Sequence, residues 1–103
     1  MASTVNIRSC YDGDTCRTTA GERIRLACID APERGRAGSY AATHALRGMV
    51  QGRQVGIWRI TSDSYGRTVA ELTANGQNVG ESLVKQGHAR IYQRYAYQCR
   101  WAR

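Results

Sequence analysis

The order of segments along the chain predicts an α+β fold that is mainly β: a small mixed barrel with two or three helices packed on it. Three observations lead there. Short stretches with apolar residues at alternate positions are separated by turn-forming residues rather than by long connections. Apolar residues spaced three and four apart, as on a helix that faces a core, are confined to the stretch after residue 38 and a shorter one near residue 80. The first three extended segments follow one another too closely for the crossovers of a dozen or more residues that parallel pairing needs, which argues against a βαβ sheet. With 103 residues, 42% of them hydrophobic, the chain reads as a single domain over residues 1–103 built on one core.

Alternation at Val5 and Ile7 predicts the first strand. Asp12-Gly13-Asp14 is a turn signal leading into a second strand at residues 15–19. In the third, Ile24, Leu26 and Cys28 fall on one face and Arg23 and Arg25 on the other, so Arg25 is held by a rigid strand and directed away from the apolar row. Ala31-Pro32 ends that strand, because proline lacks the ladder donor and restricts the residue before it. After an arginine- and glycine-rich loop, Ala42, Ala45, Leu46, Met49 and Val50 mark one face of a helix. Residues 54–60 and 67–73 read as strands joined by the turn Asp63-Ser64-Tyr65-Gly66, and Asn75-Gly76 makes a further turn. A short helix follows, with Asn78 as N-cap, Glu81 in capping-box position and Gly87 as its stop. Residues 89–92 suggest a last short strand before a polar, aromatic and basic tail.

Fifteen lysines and arginines against eight acidic residues leave a net charge of +7, which favours a polyanionic partner, nucleic acid ahead of an anionic membrane or acidic protein. No stretch approaches the roughly twenty apolar residues of a membrane span, and the N-terminus lacks a basic-then-apolar leader. Four cysteines in a short chain favour disulfides and an oxidising compartment, hence a secreted or periplasmic protein. Zinc fits less well, since there is no C-x-x-C and only His44 and His88 to assist. Of the three possible connectivities, the expected one pairs Cys10 with Cys16 across the first hairpin and leaves Cys28 to Cys99.

Candidate chemistry is carried by acids and arginines. Asp14 and Asp30, at the ends of adjacent strands, with the carbonyl of Ala31 beside a rigid proline, are hard oxygen donors of the kind Ca²⁺ prefers. Glu33, one turn further on, is placed to take a proton from a water attacking phosphorus. Arg25 and Arg67 supply guanidinium groups able to bind phosphate oxygens and offset charge that builds at the transition state.

Together, Asp12-Gly13-Asp14-Thr15, Ile24-Arg25-Leu26 running through Ile29-Asp30-Ala31-Pro32-Glu33, Asp63-Ser64-Tyr65-Gly66-Arg67, and Asn78-Val79 with Leu83-Val84 and Gly87-His88-Ala89 resemble the ordered signature blocks of the staphylococcal nuclease family. The resemblance runs in one register from about Val5 to Tyr95. It implies an OB-type five-stranded barrel and a Ca²⁺-dependent, sequence-tolerant endonuclease that leaves 3′-phosphate and 5′-hydroxyl ends on DNA and RNA. It also implies Asp14, Asp30 and the Ala31 carbonyl as calcium ligands with Asp12 close by, Glu33 as base, and Arg25 and Arg67 on the scissile phosphate. Tyr65 matches a tyrosine that contacts a nucleotide phosphate, and Tyr92 or Tyr95 is placed to stack on a base. The chain departs from the family pattern at Ser64, where a lysine is usual, and at Gln93, where a tyrosine is usual. Its loop after Glu33 is shorter, and it stops before the family's C-terminal helix, so disulfides, typically contributing about 2 to 4 kcal/mol each, are expected to supply stability instead. A non-catalytic nucleic-acid-binding module is the alternative; retention of all five charged residues favours an enzyme, and a monomer is expected.

Overall fold

The computed structural model describes residues 3–103. Its elements are β1 (Ser3–Asp12), β2 (Thr15–Thr18), β3 (Arg23–Leu26), β4 (Ile29–Asp30), α1 (Ser39–Val50), β5 (Gln54–Ser62), β6 (Thr68–Ala74), β7 (Gln77–Asn78), α2 (Val79–Lys85) and β8 (Arg90–Ile91). Two 3-10 turns, Gln93–Gln98 and Arg100–Ala102, complete the chain. The long strand β1 pairs antiparallel with β2 at its end and with β5 at its start, and the sheet order is β3-β2-β1-β5-β6-β7. Strand β3 also pairs parallel with β6, Arg25 opposite Val69, and this ladder closes β1, β2, β3, β5 and β6 into a five-stranded mixed barrel. A small separate pair, β4 with β8, sits beside it.

Side chains from every wall of the barrel meet in one core. Ile7, Ile24, Leu26, Val55, Ile57, Ala70 and Leu72 are buried from the strands, while Ala42, Leu46 and Val50 enter from α1 and Val79 and Leu83 from α2. Ala45 and Met49 lie partly buried along the edge of the same helical stripe. Burying a side chain of leucine or isoleucine size contributes about 1.5–3 kcal/mol, so this cluster supplies most of the stabilisation.

Several predicted boundaries shift for identifiable reasons. The third strand stops at Leu26 rather than reaching Cys28, because Cys28 adopts the left-handed conformation at φ 71° and turns the chain into β4. Cys28 therefore leaves the Ile24–Leu26 row and joins a second cluster with Ala27, Ala96, Cys99 and Ala102. At α2, Asn78 caps by accepting the Glu81 N–H at 3.0 Å, but the Glu81 carboxylate lies 3.5 Å from Lys85, so the capping box is half made. Gly87, at φ 80°, ends the helix with its own N–H on the Val84 carbonyl and the His88 N–H on that of Leu83, a Schellman closure. Both expected disulfides are present: Cys10–Cys16 joins directly opposed residues of β1 and β2, and Cys28–Cys99 ties the chain's end to the barrel.

Gly13 matters through space rather than through its backbone angle. A Cβ placed there would lie 2.7 Å from Ala31 Cβ and 2.8 Å from Ala42 Cβ, so the β1–β2 turn can sit against β4 and α1 only without a side chain. Gly13→Ala is therefore expected to cost about 1–3 kcal/mol in urea unfolding, in the range of overpacked cores. Gly48→Ala, inside α1 with nothing within 4 Å, is expected to add about 0.4–1 kcal/mol.

Candidate active site

Four peptide segments converge at one end of the barrel. The β1–β2 turn carries Asp14, 7% exposed, whose backbone carbonyl accepts the Leu26 N–H at 2.8 Å. Its carboxylate Oδ2 accepts the Ala31 N–H at 2.9 Å, so one residue joins the turn to β3 and to the segment after β4. Asp12 shapes that turn, its Oδ1 accepting the Asp14 N–H at 3.0 Å.

Arg25 lies at the middle of β3, flanked by Thr15 of β2 and Val69 of β6. Its Nη1 donates to the carbonyls of Leu26 and Ile29 at 2.7 and 3.0 Å, which fixes the guanidinium. The other terminal nitrogen, Nη2, stands 3.5 Å from Asp14 and 4.0 Å from Asp30. These separations exceed hydrogen-bond length, so the arginine balances the two carboxylates by charge alone. The balance is incomplete. Burial pushes the Asp14 carboxyl up to about 6, Arg25 and the Ala31 N–H pull the other way, and Asp12 pushes further up.

Arg25 lines a cleft of about 380 Å³ that also contains Arg67, Tyr65, Tyr92 and Tyr95. Arg67 is held by Asp63, which accepts its Nε at 2.7 Å and also the backbone N–H groups of Tyr65 and Arg67. This anchor uses Nε, so it leaves the two terminal nitrogens of Arg67 uncommitted to Asp63. Those bonds, stronger together than the opposing desolvation, hold the Asp63 carboxyl below its usual range. The Arg67 guanidinium also lies over the exposed Tyr65 ring at 5.4 Å. Tyr92 and Tyr95 meet edge to face, 5.1 Å between ring centres, on the opposite wall. Neither would stand there without Cys28: the Tyr92 N–H donates to the Cys28 carbonyl at 2.8 Å, and the Cys28–Cys99 disulfide together with the Trp101 indole N–H on Glu71 pins the tail.

Glu33 stands apart from this cleft. It is exposed, joins no ion pair among the described residues, and lines a neighbouring cleft with Asp30, Ala31 and Pro32. Asp30 lines that neighbouring cleft and pairs with Arg90 at 3.4 Å across the β4–β8 ladder. So the fold gathers Asp14, Arg25, Asp30 and Ala31, sets Arg67 and the three tyrosines in one cleft with Arg25, and puts Glu33 in the neighbouring cleft with Asp30 and Ala31. Sequence reading passed over Asp63 as an anchor; its spacing before Tyr65 and Arg67, typical of an Asx turn, was the available signal. It also passed over Cys28 and Gln98 as cleft walls, which only the tail's path reveals.

The donor set suits a hard dication. Two carboxylates, one insufficiently compensated, and the Ala31 carbonyl are oxygen donors, whereas no three of His, Cys, Asp or Glu converge among the described residues, so water would complete any coordination. Among the described residues no helix is long and apolar enough to cross a membrane.

The profile of a family described as staphylococcal nuclease homologue matches residues 23–101. An uncharacterized endonuclease of Haemophilus influenzae is 34% identical over 99 residues, 92% of this chain and 56% of its own length. One from Escherichia coli O157:H7 is 34% identical over 88 residues, 82% of this chain and 58% of its own length. A probable staphylococcal-like nuclease of Oryza sativa subsp. japonica is 40% identical over 73 residues, 71% of this chain and 22% of its own length. The chain thus spans little more than half of the bacterial relatives. Asp12 and Asp14 precede the matched stretch, and their place in the site rests on the contacts to Leu26 and Ala31.

Two outcomes follow from this geometry. Asp14 has its folded pKa raised from 3.8 to about 6, so its ionised carboxylate opposes folding: the stability that this one group contributes is greatest below about 3.8, falls as pH rises toward 6, and is then level. Metal-free Asp14→Asn is expected to exceed the parent by about 2–3 kcal/mol in urea unfolding at pH 7 and to match it near pH 4; a less stable variant at pH 7 would refute the burial argument. Removal of the tail tether in Cys28→Ala/Cys99→Ala is expected to cost about 2–5 kcal/mol.

Proposed function

Since the chain belongs to the staphylococcal nuclease family, we propose that it is a Ca²⁺-dependent endonuclease that hydrolyses DNA and RNA with little sequence preference, as a monomer outside the cytoplasm. The observation that carries this reading is the anchored Arg25 guanidinium, which neighbours the buried Asp14 and the partly exposed Asp30 and lines the same cleft as Arg67. Few other tasks require two fixed guanidinium groups facing one space beside a pair of hard oxygen donors. The family supports nuclease chemistry, and the two disulfides suit an extracellular or periplasmic setting.

In this mechanism the scissile phosphate lies in the cleft, with Arg25 and Arg67 donating to its non-bridging oxygens. Asp63 keeps Arg67 aimed, so little conformational freedom is lost on binding. Glu33 takes the proton from a water that attacks phosphorus from the side of Asp30. The bond to the 5′ oxygen breaks, that oxygen leaves with the electron pair and picks up a proton, and the products are a 3′-phosphate and a 5′-hydroxyl. Charge growing on the phosphoryl oxygens is met by the two arginines. Asp14, Asp30 and the Ala31 carbonyl would hold Ca²⁺, whose chemistry when bound is to neutralise phosphate charge and acidify water. Tyr65, Tyr92 and Tyr95 offer faces to the flanking sugar and base, a contact indifferent to sequence. Asp12 acts on Asp14 through the turn.

Plasmid DNA is expected to be nicked with Ca²⁺ and to stay intact with chelator. Glu33→Ala and Arg67→Ala are each expected to lower turnover by about 10²–10⁴-fold, with end-group analysis reporting 3′-phosphates. Unchanged turnover in either variant would remove its assigned role. Salt-dependent binding of single strands without cleavage under any divalent ion would instead establish a non-catalytic module.

A further inference from the structure

Cavities on the molecule form a chain. The cleft between Arg25 and Arg67 shares Tyr92 with a cavity along β8, lined by Arg90, Gln93 and Arg94. That cavity in turn shares Asp30, Ala89 and Arg90 with the cleft that holds Glu33, Arg36 and His88. The three cavities are therefore consecutive neighbours, from the one at the Tyr65 turn to the one at the loop after Glu33. The two beyond Tyr92 carry three exposed arginines, Arg94, Arg90 and Arg36.

Arg94 lies 5.5 Å over the Tyr95 ring, which steadies it without neutralising it, and Arg90 shares Asp30 at 3.4 Å. Arg36 and Arg94 take no part in the ion pairs of the described residues. A diester cut inside a polymer continues in both directions from the cut. The tyrosine-lined half receives one arm, and the other must leave past Asp30.

Resting on the endonuclease reading, we propose that Arg36, Arg90 and Arg94 form a phosphate track for the arm of a single-stranded polynucleotide that leaves the site past Asp30. Arginines that contact phosphate grip backbone rather than base edges, so the track adds affinity and no sequence preference. Each phosphate neutralised on a single strand contributes about 0.7 to the slope of log affinity against log salt, so three contacts contribute about 2.

The test is binding of a fluorescein-labelled twelve-nucleotide oligothymidylate in chelator, where no hydrolysis intervenes, across a salt series. Arg36→Ala/Arg90→Ala/Arg94→Ala is expected to bind at least about tenfold more weakly at low salt with a slope shallower by about 2. Arg8→Ala/Arg17→Ala/Arg53→Ala removes the same charge from exposed positions that line none of the three cavities and is expected to change the slope by less than about half as much. Melting curves confirm that both variants fold; if the first does not, the three arginine-to-lysine replacements are used at lower and higher salt, and retention of the slope is expected. An unchanged slope, or equal losses in the two alanine sets, overturns the track. Hydrolysis of the same twelve-nucleotide strand in Ca²⁺ separates the two proposals: its cleavage by the native protein with an unchanged slope in chelator overturns the track alone, and a track-dependent slope without any cleavage overturns the nuclease reading alone.

Discussion

Asp14 is the residue on which the working end of the barrel depends. Its backbone carbonyl takes the N–H of Leu26 and its side chain that of Ala31, so a single position in the first turn fastens β3 and β4. The cost is a carboxylate taken out of water, and its raised pKa measures how little of that cost Arg25 recovers. Arg25 gives its best hydrogen bonds to the carbonyls of Leu26 and Ile29 and only its charge to Asp14 and Asp30. The result is a site held in position by hydrogen bonds, with two carboxylates only partly balanced by one arginine. Glycine at position 13 is what lets this turn approach β4 and α1 closely enough.

The aromatic wall depends on a different constraint. Tyr92 and Tyr95 belong to a tail with little regular structure, and short 3-10 turns hold poorly alone. Three devices fix it: the β4–β8 pair, the Cys28–Cys99 bond and the Trp101–Glu71 hydrogen bond, the last shared with the Asn78 cap of α2. A second small cluster of alanines and cystine fills the gap between tail and barrel, where a helix would have brought larger side chains. The cleft's tyrosines and its arginines are thus supported by separate means.

Much of this was legible in local patterns. Alternation placed the strands, the three-and-four spacing of Ala42, Leu46 and Val50 placed the core face of α1, and Asn78 with Gly87 marked both ends of α2, because each signal is read within a few residues of backbone. The acids and arginines that the fold brings together at Asp14, Arg25 and Asp30 could be nominated from residue type and order. What local signals missed involved distant partners. Alternation carried β3 on to Cys28, but the bond to Cys99 and the turn at φ 71° take that residue elsewhere. The half-made capping box has a similar origin, since Lys85 competes for Glu81 from the next turn.

By itself the sequence determined which residue types were available and in what order: a basic chain with one mixed core, two acids and two arginines at characteristic spacings, and cysteines in hairpin register. Only the tertiary structure decided how they divide space. The parallel β3–β6 ladder closes the barrel and brings Arg25 and Arg67, some forty residues apart in the chain, to one cleft. The β4–β8 pair sets Asp30 beside Arg90 in the cleft that holds Glu33 and Arg36, while Tyr65, Tyr92 and Tyr95 line the cleft that holds the two arginines. The reason is physical: helix and turn preferences act over three or four residues, whereas cleft walls are set by which distant segments can bury their apolar faces together.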